Sequence, residues 1–363
     1  MKNTFGNNLT VTLFGESHGE AIGVVLDGVA PGLEVDNNFI KKLLNARRGL
    51  SAVSTPRREV DEPQILSGVF EGKTTGTPIC IIIKNVDTRS GDYSKTKDLA
   101  RPSHADFTAE CKYNGFQDYR GGGHFSGRIT APLCAAAGII IPALLKKGIK
   151  IGSHIAKIGE IEDRDFCDYY TDFDILSGKE FAVLDEFKET AMIEKIKEVK
   201  AKGDSIGGIV ETAVLGLPAG AGEPWFDSIE SILSHAIFSI PGVKGIEFGK
   251  GFDFADMVGS QANDSFKNKD GKIVTETNNS GGINGGITNG MPVTFRTAFR
   301  PTPTIAKEQN TVNIKTTEDA VLAVAGRHDP CIVHRAKVVV DSITALALAD
   351  ILVTRYGTDW LSE

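Results

Sequence analysis

Two histidines and one aspartate in this chain occupy positions suited to proton transfer. His18 lies in Gly15-Glu-Ser-His-Gly19 and His104 in Arg101-Pro-Ser-His104, each among small residues and not on an apolar face. A histidine in such a loop is the usual general acid near neutral pH, because its unperturbed pKa is about 6.5. Asp329, between His328 and Pro330, holds a rigid loop position that suits a carboxylate base and equally a structural cap. Arginine recurs beside glycine, proline or histidine: at Arg47–Arg48, Arg57–Arg58, Arg101, Arg120, Arg128, Arg300 and Arg327. Guanidinium groups grip phosphate and carboxylate bidentately, and a loop setting lets several converge on one ligand. Seven such places in a chain of net charge −7 predict a small, multiply anionic substrate held by arginines and worked on by histidine-borne protons. His235, on a helical pattern, reads as a packing residue.

Three glycine motifs suggest other chemistry and fail on their context. Gly15-Glu-Ser-His-Gly19 matches the nucleophile elbow of serine hydrolases, which needs a strand, a tight turn and then a helix. The residues that follow, Ile22-Gly-Val-Val-Leu26, are β-like, so a hairpin turn accounts for both glycines. Gly68-Val-Phe-Glu-Gly72-Lys-Thr74 has three residues between its glycines where a phosphate-binding loop has four, and a β-branched run follows instead of a helix. Gly121-Gly-Gly123 lacks the spacing and the preceding strand of a dinucleotide fingerprint. The competing classes are therefore a serine hydrolase, an ATP-dependent phosphotransferase and a non-enzymatic anion-binding module.

The elements that must position these residues follow from periodicity. Thr10–Phe14, Ile22–Leu26, Ile65–Phe70, Ile79–Ile83, Ile149–Ile158, Ile209–Leu217 and Met291–Phe299 alternate as strands. Helices are predicted after an Asp36 cap to Arg47–Arg48, from about Thr130, over Asp185–Ala201, over Phe226–Ile240 and over Ser342–Arg355. Residues 87–103 form a polar loop, and residues 261–290 a long glycine-rich stretch suited to function. Short strands and helices joined by hairpin-like turns predict layered α+β architecture, with no clean boundary within residues 1–363.

Composition limits the classes further. With 363 residues and 41% hydrophobic content the chain can bury a large core, and its acidic balance gives no global field for nucleic acid or an anionic membrane. Met1–Gly6 lacks a signal-peptide pattern, and the apolar run Leu133–Leu145, interrupted by Gly138 and Pro142, is too short to span a bilayer. The five scattered cysteines, with no C-x-x-C pair, read as reduced cytoplasmic thiols and not as a zinc site or disulfide framework.

Five ordered segments carry a resemblance. Phe14-Gly-Glu-Ser-His-Gly-Glu-Ala-Ile-Gly-Val-Val-Leu-Asp-Gly28, Arg101-Pro-Ser-His-Ala-Asp106, Tyr119-Arg-Gly-Gly-Gly-His-Phe-Ser-Gly-Arg128, Gly203-Asp-Ser-Ile-Gly207 and Gly326-Arg-His-Asp-Pro-Cys331 resemble the successive signatures of chorismate synthases. The resemblance runs from about Phe5 to the last helix. It implies a β-α-β sandwich assembled as a homotetramer. The implied reaction is the 1,4-anti elimination of phosphate and a ring proton from 5-enolpyruvylshikimate-3-phosphate. It also implies reduced FMN, which is not consumed, and leaves open whether this chain reduces its flavin with NADPH or relies on an outside reductant. By the same resemblance His18 would protonate the flavin, His104 would assist phosphate departure, and Asp329 would take part in removing the ring proton. Arg47, Arg57, Arg101, Arg128 and Arg327 would line the substrate pocket. The flavin would meet His124, Phe125, Ser126, Pro241, Gly242, Gly285 and the segment Arg300-Pro301-Thr302-Pro303-Thr304, with Arg327 also beside it. Several positions depart from the common pattern. His124-Phe125 stands where many members have Arg-Ser, Ala30 replaces a frequent proline, Asp341 replaces a frequent glutamate, and Ala52 falls near a further arginine of the family.

Overall fold

The chain begins with alternation that becomes a sheet. In the computed structural model, which describes residues 2–49, 53, 61–86, 97–323 and 329–363, Thr4–Phe5 (β1), Thr10–Gly15 (β2) and Ala21–Asp27 (β3) run antiparallel. The helix Asn37–Arg48 (α1) follows, capped by Asp36, whose carboxylate accepts from the amides of Asn38 and Phe39 at 2.8 and 3.1 Å. Pro63–Ile65 (β4) and Ile79–Lys84 (β7) complete a five-stranded sheet in the order β1-β2-β3-β7-β4. Between them Val69–Phe70 (β5) and Lys73–Thr74 (β6) form a small hairpin, which excludes a phosphate-binding loop at Gly68–Thr74 because no helix N-terminus follows. Ile22, Val24 and Leu26 of β3 and Ile79, Ile81 and Ile83 of β7 are fully buried, the period of two that gives the sheet its core face.

The helical layer packs on that face. After Asp106–Tyr113 (α2) comes Thr130–Lys146 (α3), which is buried along nearly its whole length and packs on α1. Gly138 is needed where the two helices cross, since a Cβ there would lie 2.7 Å from Ile40 Cγ1. A second all-antiparallel sheet covers the other side. Its strands are Lys150–Ile158 (β8), Ile161–Glu162 (β9), Gly208–Leu215 (β10), Val243–Phe248 (β11) and Val293–Phe299 (β16), in the order β11-β16-β10-β8-β9. The closing helix Val333–Tyr356 (α8) lies between α3 and β8 and is buried from Val333 to Val353 apart from Arg335 and Lys337. The result is the layered α+β sandwich expected from the pattern: sheet, helices, sheet.

Several expectations need correction. The last helix starts nine residues earlier than Ser342, because His334, Arg335 and Lys337 hide its polar first turns from an apolar reading. The predicted Phe226–Ile240 helix shortens to Ile229–Ile237 (α6), where Ser228 caps the amide of Ser231 at 3.1 Å. Residues 261–290 are not a plain loop. They carry the hairpins Phe266–Lys269 (β12) with Lys272–Thr275 (β13) and Ile283–Asn284 (β14) with Ile287–Thr288 (β15). The antiparallel pair Gln309–Val312 (β17) and Asp319–Leu322 (β18) had no clear alternation, and neither β11 nor α2 was foreseen. The apolar run belongs to a longer helical segment, Gly127–Lys146, of 20 residues with an 18-residue stretch of mean hydropathy 1.8, long enough by length and composition to cross a bilayer. That stretch is 78% buried inside the fold, as befits a core helix.

Candidate active site

His18, His104, Asp329 and several arginines line one cavity of about 1600 Å³. That volume exceeds the usual range for one small ligand, about 300–1,000 Å³, and leaves space for two side by side.

One wall is the turn between β2 and β3 together with the glycine loop 120–126. His18 is on that turn, and no helix follows it, so the serine-hydrolase elbow is absent. Gly121, Gly122 and Gly123 have φ of 58°, 84° and 53°, a left-handed path that side chains resist. A Cβ on Gly121 would meet His18 Nε2 at 2.9 Å and Ser17 Oγ at 3.1 Å, so the glycine lets the loop press against the imidazole. The loop is fixed to the turn by the Ser17 amide donating to the Gly123 carbonyl at 3.1 Å, and by His124 Nδ1 and the Gly15 carbonyl at 2.8 Å. His124 thus spends a ring nitrogen on the backbone, while Phe125 stays partly exposed and meets Tyr113 edge-on at 6.0 Å.

A second wall carries His104. Its Nε2 is 2.6 Å from Thr304 Oγ1. Burial and the nearby Arg101 and Arg300 charges push its pKa down to about 4, against the near-neutral acid expected from the sequence. Arg101 is held bidentately by Asp106, with Nε at 2.8 Å and Nη2 at 2.7 Å. Burial raises the Asp106 carboxyl, but the hydrogen bonds and charge of Arg101 outweigh it and leave the pKa below the usual carboxylate range.

The floor is formed where α1, the turn before α3 and the start of α8 meet. Ile40, Leu44 and Arg47 share the buried face of α1, so the helix's core stripe ends in a guanidinium. Arg47 Nη2 bonds Asp61 Oδ2 at 2.9 Å, and Arg128 Nη1 bonds the other carboxylate oxygen. Arg335, on the first turn of α8, holds Asp329 Oδ2 at 2.7 Å and donates from Nε to the Arg47 carbonyl at 3.0 Å. Thr302 Oγ1 donates to the Asp329 carbonyl at 2.5 Å, and the Arg300 amide donates to the Gly242 carbonyl at 2.9 Å.

The cavity therefore brings together His18, His104, Asp329, Arg47, Arg101, Arg128, the 124–126 loop, Pro241–Gly242 and Arg300–Thr304. Arg57 and Arg327 lie outside the described residues. Gly285 does not line the cavity; it is in the turn of the β14–β15 hairpin, with φ 62°. Arg120 forms a bidentate pair with Asp118 at 2.8 and 2.7 Å and is also absent from the lining. His235, expected only to pack, is exposed at the rim and touches Phe5 edge-on at 5.4 Å. Sequence reasoning missed Asp61 and Arg335. Asp61 stands among several acidic residues with nothing to distinguish it, and Arg335 is hidden at the start of a helix.

The family model for chorismate synthase matches residues 9–353. The chain is similar to the chorismate synthase of Thermococcus kodakarensis, 46% identical over 96% of this chain and 97% of that protein. It is similarly related to that of Parabacteroides distasonis, 47% identical over the same shares, and to that of Aeropyrum pernix, 42% identical over 100% and 96%. A crystal structure of chorismate synthase superposes with a TM-score of 0.78 at 31% identity, covering 98% of this chain and 95% of that one.

Proposed function

Since the chain belongs to the chorismate synthase family over nearly its whole length, we propose that this cavity carries out the elimination that turns 5-enolpyruvylshikimate-3-phosphate into chorismate. In that reaction a ring C–H bond and the C–O bond to phosphate break, a proton and phosphate leave, and one more ring double bond forms. The observation that supports the reading most directly is the convergence of two histidines, an aspartate and several arginines on one cavity.

Arg101 and Arg300 flank His104 and would receive the phosphate. With its pKa near 4 the free His104 ring is neutral, and an arriving anion would offset the two arginine charges and raise it toward a donor. Thr304 Oγ1 fixes the ring's Nε2 edge. Asp329, its Oδ2 held by Arg335, would take the ring proton. His18, against Gly121, is the second proton carrier on the opposite wall.

The cavity's size and its glycine wall, where a side chain at Gly121 would collide with His18, also suit a flat cofactor ring beside the substrate. Reduced FMN, when bound, lends electron density to the elimination without net oxidation. His124–Ser126, Pro241–Gly242 and Arg300–Thr304 would hold it. Homotetrameric assembly is part of the same reading, and is supported by Trp225 and Phe226, 84% and 91% exposed on one turn. A cytoplasmic setting accords with the free cysteines.

An oxygen-free assay with the phosphorylated enolpyruvyl substrate and chemically reduced FMN tests the reading. Chorismate and phosphate should appear in equal amounts with the flavin still reduced. Turnover that needs ATP, or none at all, would reject it.

A further inference from the structure

A carboxylate in the wall of a pocket for a polyanion opposes the binding it lines, and Asp61 is such a group. Its side chain is 3% exposed, and it lines the cavity between Arg47 and Arg128, themselves 8% and 9% exposed. Each of its oxygens takes a different arginine. The three residues come from separate segments, so no local sequence constraint forces them together. Arg47 ends α1 and also reaches the Gly127 carbonyl and the Thr130 hydroxyl, both at 3.4 Å. Arg128 is on the turn before α3, and its Nε donates to Asn85 Oδ1 at 3.1 Å, just past the end of β7.

Two buried guanidinium ions without a counter-charge would repel each other and incur the full cost of desolvation. One carboxylate between them removes that repulsion and fixes the plane of both forks before any ligand arrives. It also leaves the trio with one net positive charge, which weakens the pocket's hold on an anion. Burial works to raise the Asp61 carboxyl, yet the two arginine charges outweigh it and keep its pKa below the usual carboxylate range.

We propose that Asp61 is a positioning residue of the anion site: it presets Arg47 and Arg128 for phosphate or carboxylate and, by its own charge, keeps the pocket from retaining the released phosphate. The inference rests on the proposed reading of the cavity as an anionic-substrate site, and the two can fail separately.

The probe is inorganic phosphate, titrated by calorimetry into the full-length wild type, Asp61→Asn and Asp61→Glu, with kcat and KM measured alongside. Asp61→Asn should bind phosphate at least tenfold more tightly while kcat falls at least tenfold, because charge is gained as orientation is lost. Asp61→Glu, which keeps the charge, should return the phosphate affinity to within about threefold of wild type. A merely structural role predicts weaker or unchanged phosphate binding in Asp61→Asn, and either result overturns the proposal. Should Asp61→Asn be unstable, phosphate must raise its melting temperature more than it raises that of the wild type, by standing in for the missing carboxylate. Equal shifts overturn the proposal too. A wild type that forms no chorismate in these kinetics overturns the reading of the site beneath; one that does, while Asp61→Asn binds phosphate no more tightly than it, overturns the proposal alone.

Discussion

At the scale of single residues, the environment reassigns what residue type alone suggests. His104 was expected to titrate near neutrality. Burial and its two arginine neighbours instead hold it at about 4, so in the free protein it is a neutral ring bonded to Thr304. Nitrogen NMR of labelled histidine should show His104 neutral down to about pH 5. Saturating substrate, by offsetting Arg101 and Arg300, should move its titration upward by at least one unit. A free-protein pKa near 6.5, or no shift with substrate, would contradict that assignment. The arginines teach a similar lesson. Their type and loop setting suggest convergence, and Arg47, Arg101, Arg128 and Arg300 do line one cavity. Their partners did not show in the sequence, because Asp61 and Arg335 are brought to them only by tertiary folding.

At the scale of elements, legibility followed period and caps. β2, β3, β7, β8, β10, β16, α1 and α5 (Glu186–Ala201) were readable because alternation or a capping aspartate marks them. β11 was not, because Lys244, Gly245 and Glu247 break its alternation, and β17–β18 is half polar. The glycine loop is unusual in the sequence, but its purpose needed the structure: three positive-φ residues in a row, the first of them, Gly121, laid against His18. Gly121→Ala should therefore be damaging out of proportion to its size. The left-handed backbone costs about 1–2 kcal/mol with a Cβ, and that Cβ would lie 2.9 Å from His18 Nε2. We expect kcat to fall at least tenfold with only a modest loss of melting temperature. Wild-type kcat in this variant would show that the loop does not need its close approach to His18.

At the scale of the whole molecule, one buried and one half-buried histidine make stability depend on pH. His104 and His334 are both pushed down to about 4, each chiefly by burial, with Arg101 and Arg335 respectively adding to the effect. Between about pH 6.5 and 4 the unfolded chain binds protons at these sites that the folded chain excludes. Stability must therefore fall as pH drops through that window, by roughly 2 kcal/mol per histidine at pH 5. Asp61 and Asp106, with lowered pKa values, extend the loss to lower pH, since their contribution is present above the ordinary carboxylate range and disappears below it. Melting temperature measured without ligand should decline steadily from pH 7 to 4, and a flat profile would contradict the burial of these neutral rings. The same layers that bury them carry the site: α1 delivers Arg47, α8 delivers Arg335, and the turn before α3 delivers Arg128. The central claim is that this shared cavity performs proton-assisted elimination. The most direct test is kcat for chorismate formation by His18→Ala and His104→Ala, with reduced FMN in excess. The account predicts a loss of about a hundredfold or more in each, with much smaller changes in substrate binding. Near-wild-type kcat in both variants would contradict it.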